Sequence, residues 1–368
     1  MNKKLALIAL AGCAHLSSQA QSSTTIYGGL DLAPQVIQLS GGATPSTRMA
    51  RLSSNSILGF RGSEDLGDGL RAIWQIEGSV GADNGESSLA SRNTHVGLSG
   101  RLGTVFLGHW DTPYKSSTLL LDPFTNTRIS SYVNITSGNS SANGGNLAAR
   151  QSFARRQDNS IQYWSPNFGG VSFRLGASVN EEKTPAMNPW LASGSLAYRG
   201  DPFFLTYAYE LHNQYGNGDA RDFGHKIGGS YKLSDLTLAV SLERLKWQNG
   251  SLSKLVKGVV TPAGTQSLQL DSIFVAVTKK YGANAFIVTL GQDGGIRADG
   301  ARLAQTGARS IVLNYTYNFS KSTEVYAELV ELRNQANSAN NFAINGVVGG
   351  VSAGTDLRGA SVGLKMRF

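Results

Sequence analysis

The chain has one cysteine in 368 residues, Cys13, so no disulfide can form within it. Beyond the first twenty residues, no apolar run approaches the 18 or so residues that a membrane-spanning helix needs, which excludes a helical membrane protein. Proline is scarce, at nine residues, and no Pro-rich linker or shift in composition divides the chain. Charged residues make up only 16%, while Tyr, Phe and Val recur from end to end, which excludes a disordered chain. Glycine is abundant, at 44 residues. The sequence points to no nucleic acid partner, cofactor or metal.

The first twenty residues, "MNKKLALIALAGCAHLSSQA", carry Lys3 and Lys4, an apolar run from Leu5 to Ala14, and a small-x-small ending at Ser18, Gln19 and Ala20. This is the pattern of a secretory signal peptide, residues 1–20, cleaved before Gln21. "LAGC", Leu10 to Cys13, offers a competing lipoprotein-type signal. The Ala20 site explains more, because "QSSTTIYGGLDLA" already reads as a strand. Cleavage leaves 368 − 20 = 348 residues with a net charge of +8 − 2 = +6 and no cysteine.

Residues 21–368 read as one domain. Segments of about ten residues with period-two apolarity are separated alternately by short and by long polar connections, the signature of a transmembrane β-barrel. Short turns fall at "EDLGDGL" (64–70), "GRLG" (100–103), "SPNFGG" (165–170), "RGDP" (199–202), "LSD" (233–235), "YGAN" (281–284) and "SKS" (320–322). Seven short turns and eight long connections predict sixteen antiparallel strands. These are placed near 24–38, 54–64, 70–80, 92–99, 103–110, 159–165, 170–180, 190–199, 203–212, 223–233, 235–247, 269–281, 284–292, 309–319, 323–333 and 357–368. Ile311, Leu313, Tyr315, Tyr317 and Phe319 oppose Val312, Asn314, Thr316 and Asn318. A soluble sandwich also alternates. Aromatics at strand ends, among them Tyr27, Phe168, Trp190, Phe203, Tyr231, Tyr281, Phe319 and Phe368, favour a membrane girdle. "SVGLKMRF", Ser361 to Phe368, keeps its alternation to the last residue, so the final strand is expected to pair with the first and close the barrel.

The blocks "SSTTIYGGLDLA", "LGFRGSEDLGDGLRAIWQIE" (58–77), "VGLSGRLGTVFLGHWDTP" (96–113), "RRQDNSIQYWSPNFGGVSF" (155–173) and "GASVGLKMRF" resemble the Gram-negative porins of the Neisseria, Comamonas and Burkholderia type. The resemblance spans the whole of 21–368. It implies a homotrimer of sixteen-stranded barrels in the outer membrane, set in the bilayer with its lipopolysaccharide leaflet. Each barrel would be a channel for ions and small hydrophilic solutes, narrowed by a third loop folded inward. It also implies that Phe368 is read by the barrel-assembly machinery.

The third long connection, Asp111 to Asp158, is the longest, and its opening "DTPYKSSTLLLDPF" places Leu119, Leu120, Leu121 and Phe124 as residues suited to packing within the wall. By the resemblance, wall arginines face acidic groups on this loop. Arg61, Arg71, Arg92 and Arg156 occupy the basic positions, with Arg155 beside the last, and Asp111 and Asp122 are loop acids. The sequence departs from that pattern at Ile57, His109, Gln162 and Trp164, where charged residues are usual. Either these positions have drifted, or Trp110, Tyr114 and Trp164 form an aromatic surface for a sugar or aromatic acid. Weak to moderate anion preference is expected, strengthened on acidification if His109 faces the lumen.

Enzymatic chemistry finds no support. His95, His109, His212 and His225 lie on separate predicted strands with no H-x-x-x-H pair, and no G-x-S-x-G stands in a supporting context. A plugged structural or adhesive barrel is the remaining alternative. "GSEDLGDGL" lacks EF-hand spacing and reads as a turn.

Overall fold

The computed structural model describes residues 22–43, 46–178, 181–215, 220–248 and 258–368. The signal-peptide reading of residues 1–20 lies outside the described residues. Twenty strand segments form one sheet. Three of them, Ser87–Ser88, Ser141–Asn143 and Ala301–Arg302, are pieces of two or three residues, and two others join across Asn55, so sixteen strands cross.

In chain order the strands begin with β1 (Ser22–Ser40), β2 (Thr47–Ser54 continued by Ser56–Gly67), β3 (Leu70–Val80), β4 (Thr94–Gly100) and β5 (Gly103–Asp111). Next come β6 (Ala154–Trp164), β7 (Val171–Ser178), β8 (Trp190–Arg199), β9 (Phe203–Asn213), β10 (Arg221–Leu233) and β11 (Leu236–Gln248). The last five are β12 (Ser267–Tyr281), β13 (Asn284–Ala298), β14 (Ala308–Asn318), β15 (Thr323–Asn334) and β16 (Asp356–Arg367). All seven expected short turns fall between consecutive strands.

Closure is explicit. β1 pairs antiparallel with β16 from Gly29↔Arg367 to Ser40↔Asp356. Beyond that ladder the Gly28 N–H donates to the Phe368 carbonyl at 3.0 Å, and the Phe368 N–H donates to Gly28 at 3.1 Å. Among the described residues every crossing strand is paired on both sides, which meets the backbone demand of a hydrocarbon surround.

Exposure decides which face is which. Ile311, Leu313 and Tyr315 are 37, 50 and 38% exposed, whereas the intervening Val312, Asn314 and Thr316 are 1, 6 and 8% exposed. A sandwich would bury the apolar set. Here the apolar set is outermost, as a lipid-facing belt requires. Aromatic pairs mark the turn end of that belt, with Phe203 and Tyr231 rings 4.9 Å apart and Tyr317 and Phe319 rings 5.1 Å apart.

Three boundaries differ from the sequence expectation. β2 begins at Thr47 rather than near 54, because "TRMARL" hides its alternation under charge. Both parts of β2 keep one register against β1, and at the break Asn55 N–H donates to the Asp31 carbonyl at 2.9 Å. β13 runs to Ala298 rather than 292, since the glycine-rich "GQDGGIRA" continues the ladder through a register shift opposite Leu270 and Ser272. β6 starts at Ala154 instead of 159, with Asn159 at φ 52° absorbing the irregularity. The third connection therefore shortens to residues 112–153.

Candidate permeation site

Residues 112–153 pack against inward-facing side chains from β7 round to β16, and glycines on that inner face provide the sockets. A Cβ at Gly228 would come within 2.5 Å of Leu121, and one at Gly359 within 2.7 Å of Ile129. Pro113 sits over Gly176, Tyr114 over Gly224 and Ile135 over Gly291 in the same way. Apolar packing follows. Phe124, Ile129 and Ile135 join a core with Val312, Val330 and Leu357, and Leu121, Tyr132 and Val133 join Phe204, Phe274 and Ala276.

Buried acids on the wall complete the attachment. Glu243 accepts from the Tyr114 hydroxyl at 2.8 Å and from the Ser137 N–H at 2.5 Å, while the Lys226 ammonium lies 3.2 Å from it. Arg128 donates to Glu324 at 2.9 Å and stacks 3.3 Å from the centre of the Tyr326 ring. Ser130 donates to Glu328 at 2.8 Å. A buried ion left without its partner is costly, so these wall groups and their loop partners depend on each other.

The opposite side of the interior stays open. A cavity of about 1030 Å³ is lined there by Arg51, Arg92, Lys115, Arg156, Lys365 and Arg367, against the acids Glu77, Asp83, Glu86 and Asp111. Ile57, Leu119 and Asn345 are also in its wall. Several of the charges are paired. Arg92 lies 2.7 Å from Glu77, and Asp111 takes both Lys115 at 2.6 Å and Arg156 at 3.3 Å. Lys365 and Arg367 reach outside the cavity lining, to Asp31 at 3.8 Å and Glu324 at 3.1 Å. By contrast, the Nε and Nη2 of Arg51 have no hydrogen-bond partner.

Lys115 owes its place to a short helix, Pro113–Ser117, whose cap Thr112 accepts from the Lys115 N–H at 3.2 Å. Proline at the first helical position gives up no hydrogen bond there. Burial pushes the Lys115 ammonium down to about 8 despite Asp111, which favours its charged form.

The comparisons with known proteins agree with this architecture. A family model described as Gram-negative porin matches residues 5–337. The chain belongs to the Gram-negative porin family. "Outer membrane porin protein 32" of Delftia acidovorans is 29% identical, over 99% of this chain and 98% of its own length. "Major outer membrane protein P.IA" of Neisseria meningitidis serogroup C is 22% identical, with both chains covered in full. Among solved structures, "Anion-selective porin from Comamonas acidovorans" superposes with a TM-score of 0.79 at 24% identity, covering 95% of this chain and 100% of that one. The protein is thus an outer-membrane β-barrel that forms a channel.

In this porin the site residues expected from sequence fall into four groups. Arg92, Asp111 and Arg156 line the cavity together. Arg61 and Arg71 do not. Arg61 lies 5.1 Å from the Tyr27 ring centre, and Arg71 stands opposite Asp65 beside the first short turn. The six residue steps from Arg71 to Glu77 span about 20 Å of extended strand, which carries Arg71 out of reach of the cavity.

The third group has other partners. Tyr114 is fully buried on Glu243 and offers no surface to a solute. Asp122 is also buried, and it accepts from the N–H groups of Phe124 and Asn126 at 3.0 and 2.8 Å, so it shapes a turn instead of facing the arginines. Burial pushes its carboxyl up to about 6. His109 is bonded to Asp158 and is absent from the cavity wall. Arg155 is buried and spent on the carbonyls of Gly145, Asn146, Ala148 and Ala149. Leu120, expected to pack, is 59% exposed, while Leu121 and Phe124 are buried.

Trp110 and Trp164 do come together, with ring centres 5.9 Å apart and Phe106 5.2 Å from each. Gln162 donates to the Asp111 carbonyl at 3.0 Å and accepts from the Trp164 indole at 3.1 Å. Sequence reasoning missed Arg51, Lys115, Lys365 and Arg367 as cavity residues. The parity of Lys365 and Arg367 in the last strand was the available signal, and Arg51 shares the inward parity of Ile57.

Proposed function

We propose that this porin passes ions and small hydrophilic solutes by passive diffusion with a weak to moderate preference for anions, and that residues 112–153 form its constriction. One observation carries this reading. The open cavity has six cationic side chains against four acidic ones, and Arg51 among them forms no ion pair with the described residues. A narrow passage with low-dielectric walls focuses such a field. The fold relative from Comamonas acidovorans is described as anion-selective, which accords with the same reading. Assembly as a homotrimer, insertion through the barrel-assembly machinery using Phe368, and removal of residues 1–20 belong to this proposal too. Single-channel recording in planar bilayers tests it: discrete conductance steps with anion-favouring reversal potentials support it, and a silent barrel refutes it.

A second reading rests on the aromatic patch. Trp110 and Trp164, packed on the buried Phe106, with the Arg174 guanidinium 4.2 Å above Trp164, form a surface suited to a sugar or an aromatic acid. Solute-dependent current block that disappears in Trp164→Ala would support it.

A further inference from the structure

The aromatic surface of the lumen stands apart from the charged cavity, since none of Trp110, Trp164 and Arg174 lines that cavity. Its geometry follows from register. Arg174 in β7 is directly opposite Trp164 in β6, and Trp164 is directly opposite Thr104 in β5, so the three share one row. The next inward row toward the long loops holds Phe106, Gln162 and Gly176, and Pro113 sits over Gly176, its Cδ 3.0 Å from where a Cβ would be. Trp164 ends its strand at a short turn, so Trp164 and Arg174 lie on the turn side of Pro113.

Two donors at this surface are uncommitted. The Arg174 guanidinium, 4.2 Å above the Trp164 ring, gives one N–H to the Ser116 hydroxyl at 3.2 Å. It forms no ion pair among the described residues, and its charged neighbour is another cation, Arg199. The Trp110 indole N–H has no acceptor among the described residues. Both side chains are half-buried, so a solute in the lumen can reach them. Nearby polar groups are already engaged: Gln162 is bonded at both ends of its amide, and the Ser99 and Thr104 hydroxyls bond each other at 2.9 Å. A sugar needs donors and acceptors around its ring as well as a stacking face, whereas a flat ring with one carboxylate needs an apolar face and donors. The surface offers the second set. Stacking on Trp164 and the Ser116 bond hold the guanidinium in place before an anion arrives, and its remaining N–H groups can take a carboxylate in a fork.

We infer that Trp110, Trp164 and Arg174 form a subsite for aromatic monocarboxylates, with Arg174 as the residue that selects the acid. The carboxylate pairs with the guanidinium while the ring packs against the two indoles. The inference rests on the aromatic reading of this surface and narrows it to one solute class; it does not rest on the overall anion preference. Small aliphatic anions carry the same charge but have no ring to pack, and neutral aromatics pack but leave the guanidinium unpaired.

The test uses the full porin in planar bilayers, with benzoate, benzamide, acetate and glucose added in turn and current block in KCl as readout. Benzoate should block the native channel, and benzamide and acetate should each bind about tenfold more weakly or worse. Arg174→Gln should abolish the advantage of benzoate over benzamide while keeping the block by benzamide, which a merely structural role would not produce. Arg174→Lys should fall between the two, because it keeps the charge and loses the fork. Trp164→Ala and Trp110→Ala should weaken block by benzoate and benzamide alike. Heat-modifiability shows that each variant has folded, and the comparison of solutes in the native channel stands even where one has not. Equal block by benzoate and benzamide in the native channel, or benzoate block unchanged in Arg174→Gln, would overturn the inference and leave the aromatic surface standing. Glucose block that Trp164→Ala abolishes, without benzoate block, would overturn it in favour of a sugar. Block by none of the four would overturn both the inference and the aromatic reading beneath it.

Discussion

The two sides of the barrel interior follow the same alternation but use it differently. From β7 to β16, inward glycines and acids are occupied by residues 112–153, and the charges there are buried and paired. Along β2, β3 and the start of β6, with Lys365 and Arg367 from β16, comparable side chains line open space. Inward polarity alone therefore does not identify a permeation residue. What matters is whether a loop covers it. Arg128 and Arg51 both lie on the interior side, yet one is ion-paired with Glu324 under a tyrosine ring and the other forms no ion pair among the described residues.

The largest effect should come from the covered side. Glu243→Ala removes the acceptor of Tyr114 and Ser137 and leaves Lys226 buried without its ion-pair partner, a loss of about 3–5 kcal/mol. Guanidinium unfolding of the purified barrel should show a lower midpoint, and single-channel traces should become noisier as the loop loosens. An unchanged midpoint would mean that the loop is held by its apolar packing alone. Gly228→Leu fills the Leu121 socket and should destabilise by about 1–3 kcal/mol through overpacking. Its conductance should change as Leu121 is displaced, whereas Gly194→Ala, where an added Cβ meets only ordinary contact at 3.5 Å, should leave conductance as it was.

Effects on the open side should be smaller and confined to selectivity. A unit charge at about 10 Å in water is worth about 0.4 kcal/mol, so Arg51→Ala should reduce the anion-to-cation permeability ratio roughly twofold without changing stability. The smallest effect concerns pH. With its ammonium near 8, Lys115 is charged at pH 7 and neutral at pH 9, so anion preference should decline across that interval. Permeability ratios measured at both pH values should show the decline in the native channel and not in Lys115→Met.

The sequence made the barrel legible because turn residues and period-two alternation are local signals. "RGDP" and "YGAN" carry their turns in four residues, and "SVGLKMRF" carries its closure in eight. The contents of the interior depend on distant partners. Tyr114 reads as a solute-facing aromatic until Glu243, 129 positions away, claims its hydroxyl. Asp122 reads as a loop acid facing arginines until nearby N–H groups take both its oxygens. Arg51 escaped notice because "TRMARL" alternates in parity but not in polarity. Gly228 and Gly359 give no local hint that they are sockets, since the loop residues that fill them come from more than a hundred positions earlier.

The central claim, that uncovered wall cations set the charge preference while distant ones do not, is tested most directly by zero-current potentials in a KCl gradient at pH 7. Native porin, Arg51→Ala and Arg71→Ala should be compared. Anion preference in the native channel, clearly reduced by Arg51→Ala and little changed by Arg71→Ala, is the predicted result. A strongly cation-selective native channel that Arg51→Ala leaves unaltered would contradict it.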